Sequence, residues 1–299
     1  MPSVKSTAAQ QPSGSRVVVL GVAQDAGHPQ LGCQRSCCAG IWDQPERHHL
    51  PAGLGIITKE GHRWMVEASP ALPQQLHRLD GHCMRGENAP LLDGMLLTHA
   101  HMGHLVGLAY LGTEAAAVRD LPVYLPAGLA NRLRDAVPWS ALITEGRIRL
   151  HPLRDGDRFS IGADVTVEVL EVPHRREWSE TLAFIIQGPG RRVLFLPDID
   201  AWEGWSHDLQ QLITDVDVAW IDGTFYADGE LSRDMSAIPH PRVVHTMALL
   251  ADAPQSVRSR VHFTHLNHTN PLLDLDSPQA KHVRSAGFHI AQEGEVVAL

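Results

Sequence analysis

The chain has 299 residues, 43% of them apolar and 20% charged, and a formal net charge of −9. It is long enough for a large core, in one big domain or two small ones, and its negative balance gives no general attraction to nucleic-acid phosphates. No apolar run approaches the roughly 20 residues of a membrane-spanning helix, so no membrane partner is expected.

The opening stretch 1–15 is polar and lacks the apolar centre of a secretory signal. It reads as a disordered tail on a cytoplasmic protein. No linker rich in Gly, Ser or Pro divides 16–299, and no short repeat recurs, so this remainder reads as a single domain. A strand is predicted over 16–23, followed by a loop rich in glycine and cysteine. Segments 54–58 and 63–67 flank Glu60-Gly61 as a hairpin. A helix over 70–79 and a loop containing Cys83 lead to a short buried strand at 95–97. A strand at 122–125 and a helix at 127–136 come next, then three strands in succession over 165–172, 182–187 and 192–196. The rest reads as a helix near 206–214, a strand at 216–221, a long loop, a helix around 241–250, a strand at 260–265, and a last helix and hairpin. This alternation predicts an α/β chain of packed sheets with helices outside.

Three histidines, His99, His101 and His104, fall within the six residues HAHMGH directly after the strand at 95–97. Residues two apart share a side only on an extended chain, so His99 and His101 converge at the strand end or in its loop; His104 lies one helical turn beyond. Imidazole is the commonest protein ligand for zinc and also suits iron and copper; a solvated histidine-rich loop is the competing reading. His174, Asp198 and His265 each fall where a predicted strand ends. Singly, such residues are usually caps or turn formers; together they look like a ligand set.

This order of residues resembles the metallo-β-lactamase superfamily, whose fold is a four-layer αββα sandwich with metals at one edge between the sheets. Its motif is His-x-His-x-Asp-His, then a distant His, a bridging Asp and a final His. The resemblance implies that His99, His101 and His174 hold a first metal, that His104 and His265 hold a second, and that Asp198 bridges the two. Catalysis then falls to Asp198, His104 and His265. The stretches PQLGC, LPDID, DGTFY and HLNHTNPLLD followed by DSP are similar to the pyrroloquinoline quinone biosynthesis protein B family. The histidine and cysteine plan is similar to the phosphodiesterase family of the carbon–phosphorus lyase pathway and, more distantly, to tRNase Z.

One position departs from the motif. Gly103 stands where the superfamily has its aspartate, which removes a carboxylate and a negative charge from the second metal position. Asp25, in the loop after the first strand, is the candidate replacement, against the plain reading of an Asx-turn. Members of the quinone-cofactor family often depart instead at the first two histidines, which this chain keeps. That favours hydrolysis over their chemistry.

Cys33, Cys37 and Cys38 with one histidine would make a closed tetrahedral Cys3His set, a common structural Zn2+ arrangement. The resemblance to the phosphodiesterase family makes that histidine His268, three residues beyond His265. Reactive thiols are the competing reading, although no nearby base or helix start is evident to lower a thiol pKa. Cys83 stands alone as an ordinary thiol.

One or two divalent metals, Zn2+, Mn2+ or Fe2+, held mainly by neutral imidazoles lower the pKa of bound water towards roughly 7. Asp198 would orient the resulting hydroxide for attack on an ester, amide or phosphodiester. Asp93 and Asp222 are candidates to fix ligand tautomers, and loops around Trp178, Trp202, Trp205 and His240 are candidates for a pocket wall. The leading expectation is a metal-dependent hydrolase acting on a small molecule, a phosphodiester or small cyclic ester. An iron-dependent oxygenase of quinone-cofactor biosynthesis is the alternative that the nearest resemblance implies, and a non-catalytic ligand-binding member is the third. Many relatives form dimers, so the resemblance leaves a homodimer open, and the residues themselves do not fix the assembly.

Overall fold

The computed structural model describes residues 14–86 and 88–299. The tail expected over 1–15 lies outside them except at its end. There Ser15 is already buried and donates to Asp164 at 2.8 Å.

Strands are numbered along the chain: β1 (Arg16–Gly21), β2 (Gly53–Ile57), β3 (Arg63–Val66), β4 (Gly94–Leu96), β5 (Leu121–Pro126), β6 (Ile148–Leu153) and β7 (Arg158–Ser160). They continue as β8 (Thr166–Val172), β9 (Thr181–Gln187), β10 (Arg192–Leu196), β11 (Val218–Asp222), β12 (Val261–Thr264), β13 (His289–Ile290) and β14 (Val296–Ala298). They form two mixed seven-stranded sheets, ordered β14-β1-β2-β3-β4-β5-β6 and β13-β12-β11-β10-β9-β8-β7.

The period-2 alternation of side chains builds the layers. Val17 and Val19 of β1, Ile56 of β2 and Val66 of β3 face Val167, Phe184, Phe195 and Trp220 of the other sheet in a core between the two. Val18 and Leu20 point the other way, into a layer with Leu72, Leu79, Leu108, Leu129 and Leu133 from the helical side. On the far side, Leu194, Leu196, Ala219 and Ile221 pack against Leu212, Ile213, Val243, Met247 and Val283. The result is the αββα order of layers that the resemblance implied. Among the described residues no helix is long and apolar enough to cross a membrane.

Most expected elements are present with shifted ends, and four features differ. β6 (IRLHPL) carries a proline and polar residues, β7 is only three residues long, and the helix Trp139–Thr144 is short; none of these has a clear period. The C-terminal segment is not a hairpin. β13 runs parallel to β12, whereas β14 crosses to the first sheet and pairs antiparallel with β1.

Strand direction places the site. β1, β3 and β4 run the same way, because β2 is antiparallel to both β1 and β3, and β4 is parallel to β3. In the second sheet β10, β11 and β12 are parallel, and β8 joins them because β9 is antiparallel to both β8 and β10. Their carboxyl ends therefore share an edge, where backbone hydrogen bonds stitch the sheets together. Leu182 N donates to Thr98 O at 2.9 Å, Gln24 N to Leu266 O at 2.8 Å, and Leu266 N to Val22 O at 2.8 Å.

The helix Met102–Leu105 is clamped at this edge by the segment after β3: Ala68 N donates to His104 O at 2.9 Å and Gly107 N to Ala68 O at 2.8 Å. A Cβ at Gly107 would lie 2.2 Å from Ser69 O and 2.8 Å from Ala68 O, both backbone atoms. Gly107→Ala should accordingly destabilise the protein by about 1–3 kcal/mol, read as a lowered urea midpoint with an unchanged slope.

Candidate metal centre

Each candidate ligand follows the carboxyl end of a strand. His99 and His101 come after β4, with His104 in the helix that begins at Met102; His174 comes after β8, Asp198 after β10, His265 after β12 and Asp25 after β1. The structure brings all seven together. One ligand atom from each of His99, His101 and His174 lies within 4.8 Å of the others, and the same holds for Asp25, His104 and His265. Asp198 stands between the groups, its Oδ2 3.3 Å from His104 Nε2 and 3.4 Å from His265 Nε2, its Oδ1 3.7 Å from His174 Nε2. His99 Nε2 is 2.9 Å from His101 Nδ1, and His174 Nε2 is 3.4 Å from the same atom.

The outward nitrogens are fixed from behind. Thr98 Oγ1 meets His99 Nδ1 at 2.9 Å and itself donates to the buried Glu67. Glu67 Oε1 lies 3.1 Å from His104 Nδ1, Asp200 Oδ1 2.8 Å from His174 Nδ1, and Thr224 Oγ1 3.0 Å from His265 Nδ1. Four imidazoles thus turn Nε2 inward, and His101 alone turns Nδ1. Partners of this kind set tautomer and ring orientation in metal sites.

Electrostatics match. Burial and the neighbouring imidazoles hold His99 and His265 well below the ordinary histidine range, His101 at about 4 and His174 at about 2. These rings are held neutral, the form in which an imidazole ligates a metal. Burial would also lower His104, but Glu67 and Asp198 outweigh it and lift that ring to about 9. Burial pushes the Asp198 carboxyl up to about 7, against the pull of His104. Asp198 Oδ2, His104 Nε2 and His265 Nε2 are buried with no hydrogen-bond partner. Orphaned polar atoms of this kind cost about 1–3 kcal/mol each, and a shared cation satisfies all three. The donor set fits a metal.

Sequence reasoning missed Glu67 and Asp200, which touch ligands across the edge. Asp200 lies two residues beyond Asp198, a signal open to notice. Asp222 does act behind the site, but on His240, which donates Nδ1 to it at 2.7 Å and whose ligand atom also lies within 4.8 Å of Asp198 and His265. Asp93 does not reach the site. It precedes β4, at the opposite edge, and accepts from Arg63 N at 2.7 Å. Of the tryptophans, Trp178 stands beside His101, ring centroids 5.5 Å apart. Trp202 is instead buried in the outer layer, donating to Thr246, and Trp205 packs against it and donates to Glu171 O.

Cys33, Cys37, Cys38 and His268 form a separate group beside this edge. Cys37 and Cys38 Sγ lie 3.5 and 3.4 Å from His268 Nδ1, and Cys33 Sγ is 3.8 Å from Cys37 Sγ. The four-ligand count of a closed zinc site is met. Cys83 lies away from it, near Gly61.

A model described as a β-lactamase superfamily domain matches residues 62–296. The chain belongs to the metallo-β-lactamase superfamily. Within it the chain is similar to coenzyme PQQ synthesis protein B of Methylobacterium nodulans, 26% identical over 314 residues that cover 95% of this chain and 100% of that one. The Xanthomonas axonopodis pv. citri protein of the same name is also 26% identical, over 312 residues covering 95% of this chain and 100% of its own. Among solved superfamily structures, Zn(2+)-bound PqqB from Methylobacterium extorquens superposes with a TM-score of 0.80 at 21% identity, covering 95% of this chain and 100% of that one. A diphosphatase of the PhnP family gives 0.64 at 15%, with 95% and 97% covered. Human tRNase Z, short form, gives 0.55 at 14%, with 95% and 98% covered. These are likenesses of fold.

Two substitutions separate the superfamily edge from the cysteine group. Glu67→Gln should weaken metal binding at the histidine site by about 10–100-fold, read by competition with a chromophoric chelator. Cys37→Ser should strip the cysteine group of its metal and leave the histidine site loaded, read by elemental analysis.

Proposed function

We propose that the chain is a metal-dependent hydrolase acting on a small anionic ester, with a phosphodiester as the best fit. The observation that carries this reading is the convergence on Asp198 of inward-facing imidazoles, with His104 Nε2, His265 Nε2 and Asp198 Oδ2 all buried and without a hydrogen-bond partner. His99, His101 and His174 would hold one divalent cation and His104 and His265 a second, with Asp198 between them. When bound, such cations supply Lewis acidity and an acidified water at neutral pH.

The chain's own groups support the rest. Asp198 is placed to orient the attacking water. His240, with Nδ1 on Asp222, has Nε2 left to carry a proton to a leaving group, which is general acid work. A cleft of about 400 Å³ is lined by Asp25, Asn267, Phe225, Arg35 and Arg233. Among the described residues neither Arg35 nor Arg233 pairs with a carboxylate, and an unpaired guanidinium suits a phosphate. Trp178 gives the other rim of the site an aromatic face.

The similarity to coenzyme PQQ synthesis protein B along nearly the whole chain supports a second reading, an iron-dependent oxygenase of quinone-cofactor biosynthesis. Metal identity separates the two, because oxygen chemistry needs a redox-active metal. The test is elemental analysis of protein grown without added metal, followed by assays on bis(4-nitrophenyl) phosphate and neutral 4-nitrophenyl acetate with Zn2+ or Mn2+. Turnover of the diester is expected, with a loss of roughly 10³-fold in Asp198→Asn, the equivalent of several kcal/mol of charge stabilisation. Arg35→Ala with Arg233→Ala should raise KM for the diester and leave the neutral ester unaffected. Native iron with oxygen uptake and no ester turnover would establish the oxygenase reading instead.

A further inference from the structure

Gly103 and Asp25 lie far apart in the chain and against each other in space. A Cβ built on Gly103 would fall 2.3 Å from Asp25 Oδ1, 2.5 Å from its Cα and 3.0 Å from its Cβ. Rotating the Asp25 side chain would not relieve the contact with its Cα, so a side chain at 103 would have to displace the loop itself. We propose that Asp25 supplies the carboxylate of the second metal position, in place of the motif aspartate, and that Gly103 is glycine because any side chain there would expel it. The inference rests on the metal-centre reading above and concerns which residues of this chain complete it.

Three observations carry it beyond proximity. Asp25 Oδ1 is 3.7 Å from His104 Nε2, and the carboxylate, with His104 and His265, offers three donor atoms within 4.8 Å of one another. Among the described residues that carboxylate accepts no hydrogen bond from its own turn, which removes the Asx-turn reading. The backbone of Asp25 is held at φ +31, left of the usual regions for a residue with a side chain. Strain of this kind persists where surrounding structure imposes it. Here Gln24 N is bound to Leu266 O and Gly27 N to Gln24 O, both at 2.8 Å. Through Leu266 the loop bearing Asp25 is tied to the residue after His265, so the two donors keep their spacing. The second position then retains two imidazoles and, with Asp198, two carboxylates, and the departure at 103 costs the centre no negative charge.

The test is metal content and affinity, read without substrate. Wild type, Asp25→Ala, Gly103→Ala and the exposed neighbour control Met102→Ala would each be loaded with Zn2+, dialysed, analysed for metal per chain and titrated against a chromophoric chelator. Asp25→Ala and Gly103→Ala should both lose the second active-site metal or bind it at least about tenfold more weakly, with the first site and the cysteine group still loaded. Met102→Ala should match wild type. The Gly103→Ala outcome is the discriminating one, because that variant removes no donor. Wild-type affinity in either Asp25→Ala or Gly103→Ala, or a wild-type histidine site that takes up a single metal, would overturn the proposal. Thermal melting guards against misfolding in Gly103→Ala, and Asp25→Ala, at a half-exposed residue, tests the ligand role by itself. A protein that hydrolyses nothing can still pass or fail this test, so the two readings fall separately.

Discussion

A carboxylate buried among imidazoles is the constraint on which this molecule turns. Asp198 is 2% exposed, and its Oδ2 has no hydrogen-bond donor. A lone buried carboxylate is strongly disfavoured unless it is neutralised or paired. Protonated His104 can pair with it, and Glu67 behind that ring and Asp198 in front of it together lift it to about 9, while His99, His101, His174 and His265 are depressed. One proton, however, cannot serve Asp198, His104 and His265 at once. A divalent cation can, and the surrounding Glu67, Thr98, Asp200 and Thr224 hold the imidazoles in the tautomer that a cation requires.

That cluster exists because five strands of two different sheets, β1, β4, β8, β10 and β12, point their carboxyl ends to one edge. Neither sheet could assemble the site alone: β4 brings His99, His101 and His104, whereas His174, Asp198 and His265 come from the other sheet. The spacing between the sheets is set in the middle by Phe184, Phe195 and Trp220. At the edge it is set by the backbone bonds of Thr98 with Leu182 and of Val22 and Gln24 with Leu266. The site is thus carried just beyond strand ends that both sheets hold in place.

How much of this could be read from the sequence follows from the range of each interaction. HAHMGH was legible because its three ligands lie within one turn and one strand end, and His174, Asp198 and His265 because each follows an apolar run that reads as a strand. Glu67 and Asp200 were not, since a carboxylate at a strand end looks like a cap until the strand beside it is known. Asp93 was misplaced for the same reason: it lies beside a strand, but strand polarity decides which end meets the metals, and polarity is a property of the sheet. Trp202 and Trp205 were set in a pocket wall by their loop context, yet their indole nitrogens find Thr246 and Glu171 O within the outer layer. β6 and β7 escaped because a proline and three residues, respectively, leave no period to detect.

The cysteine group acquires a role from the same geometry. Cys33, Cys37 and Cys38 lie in the loop that begins at Gln24, and His268 lies in the loop that begins at His265. These are the two loops that the Gln24–Leu266 bond already joins, and they carry Asp25 and His265 into the histidine cluster. A cation held by three thiolates and an imidazole would close the far end of the same pair of loops, where the chain has little apolar surface and Cys38 alone among the three thiols is fully buried. Metal ligation would substitute there for the packing that a short, glycine-rich segment cannot provide. The cysteine group and the histidine edge are consequently two ends of one pair of loops, and the Gln24–Leu266 bond between them fixes the inner end independently of the outer one.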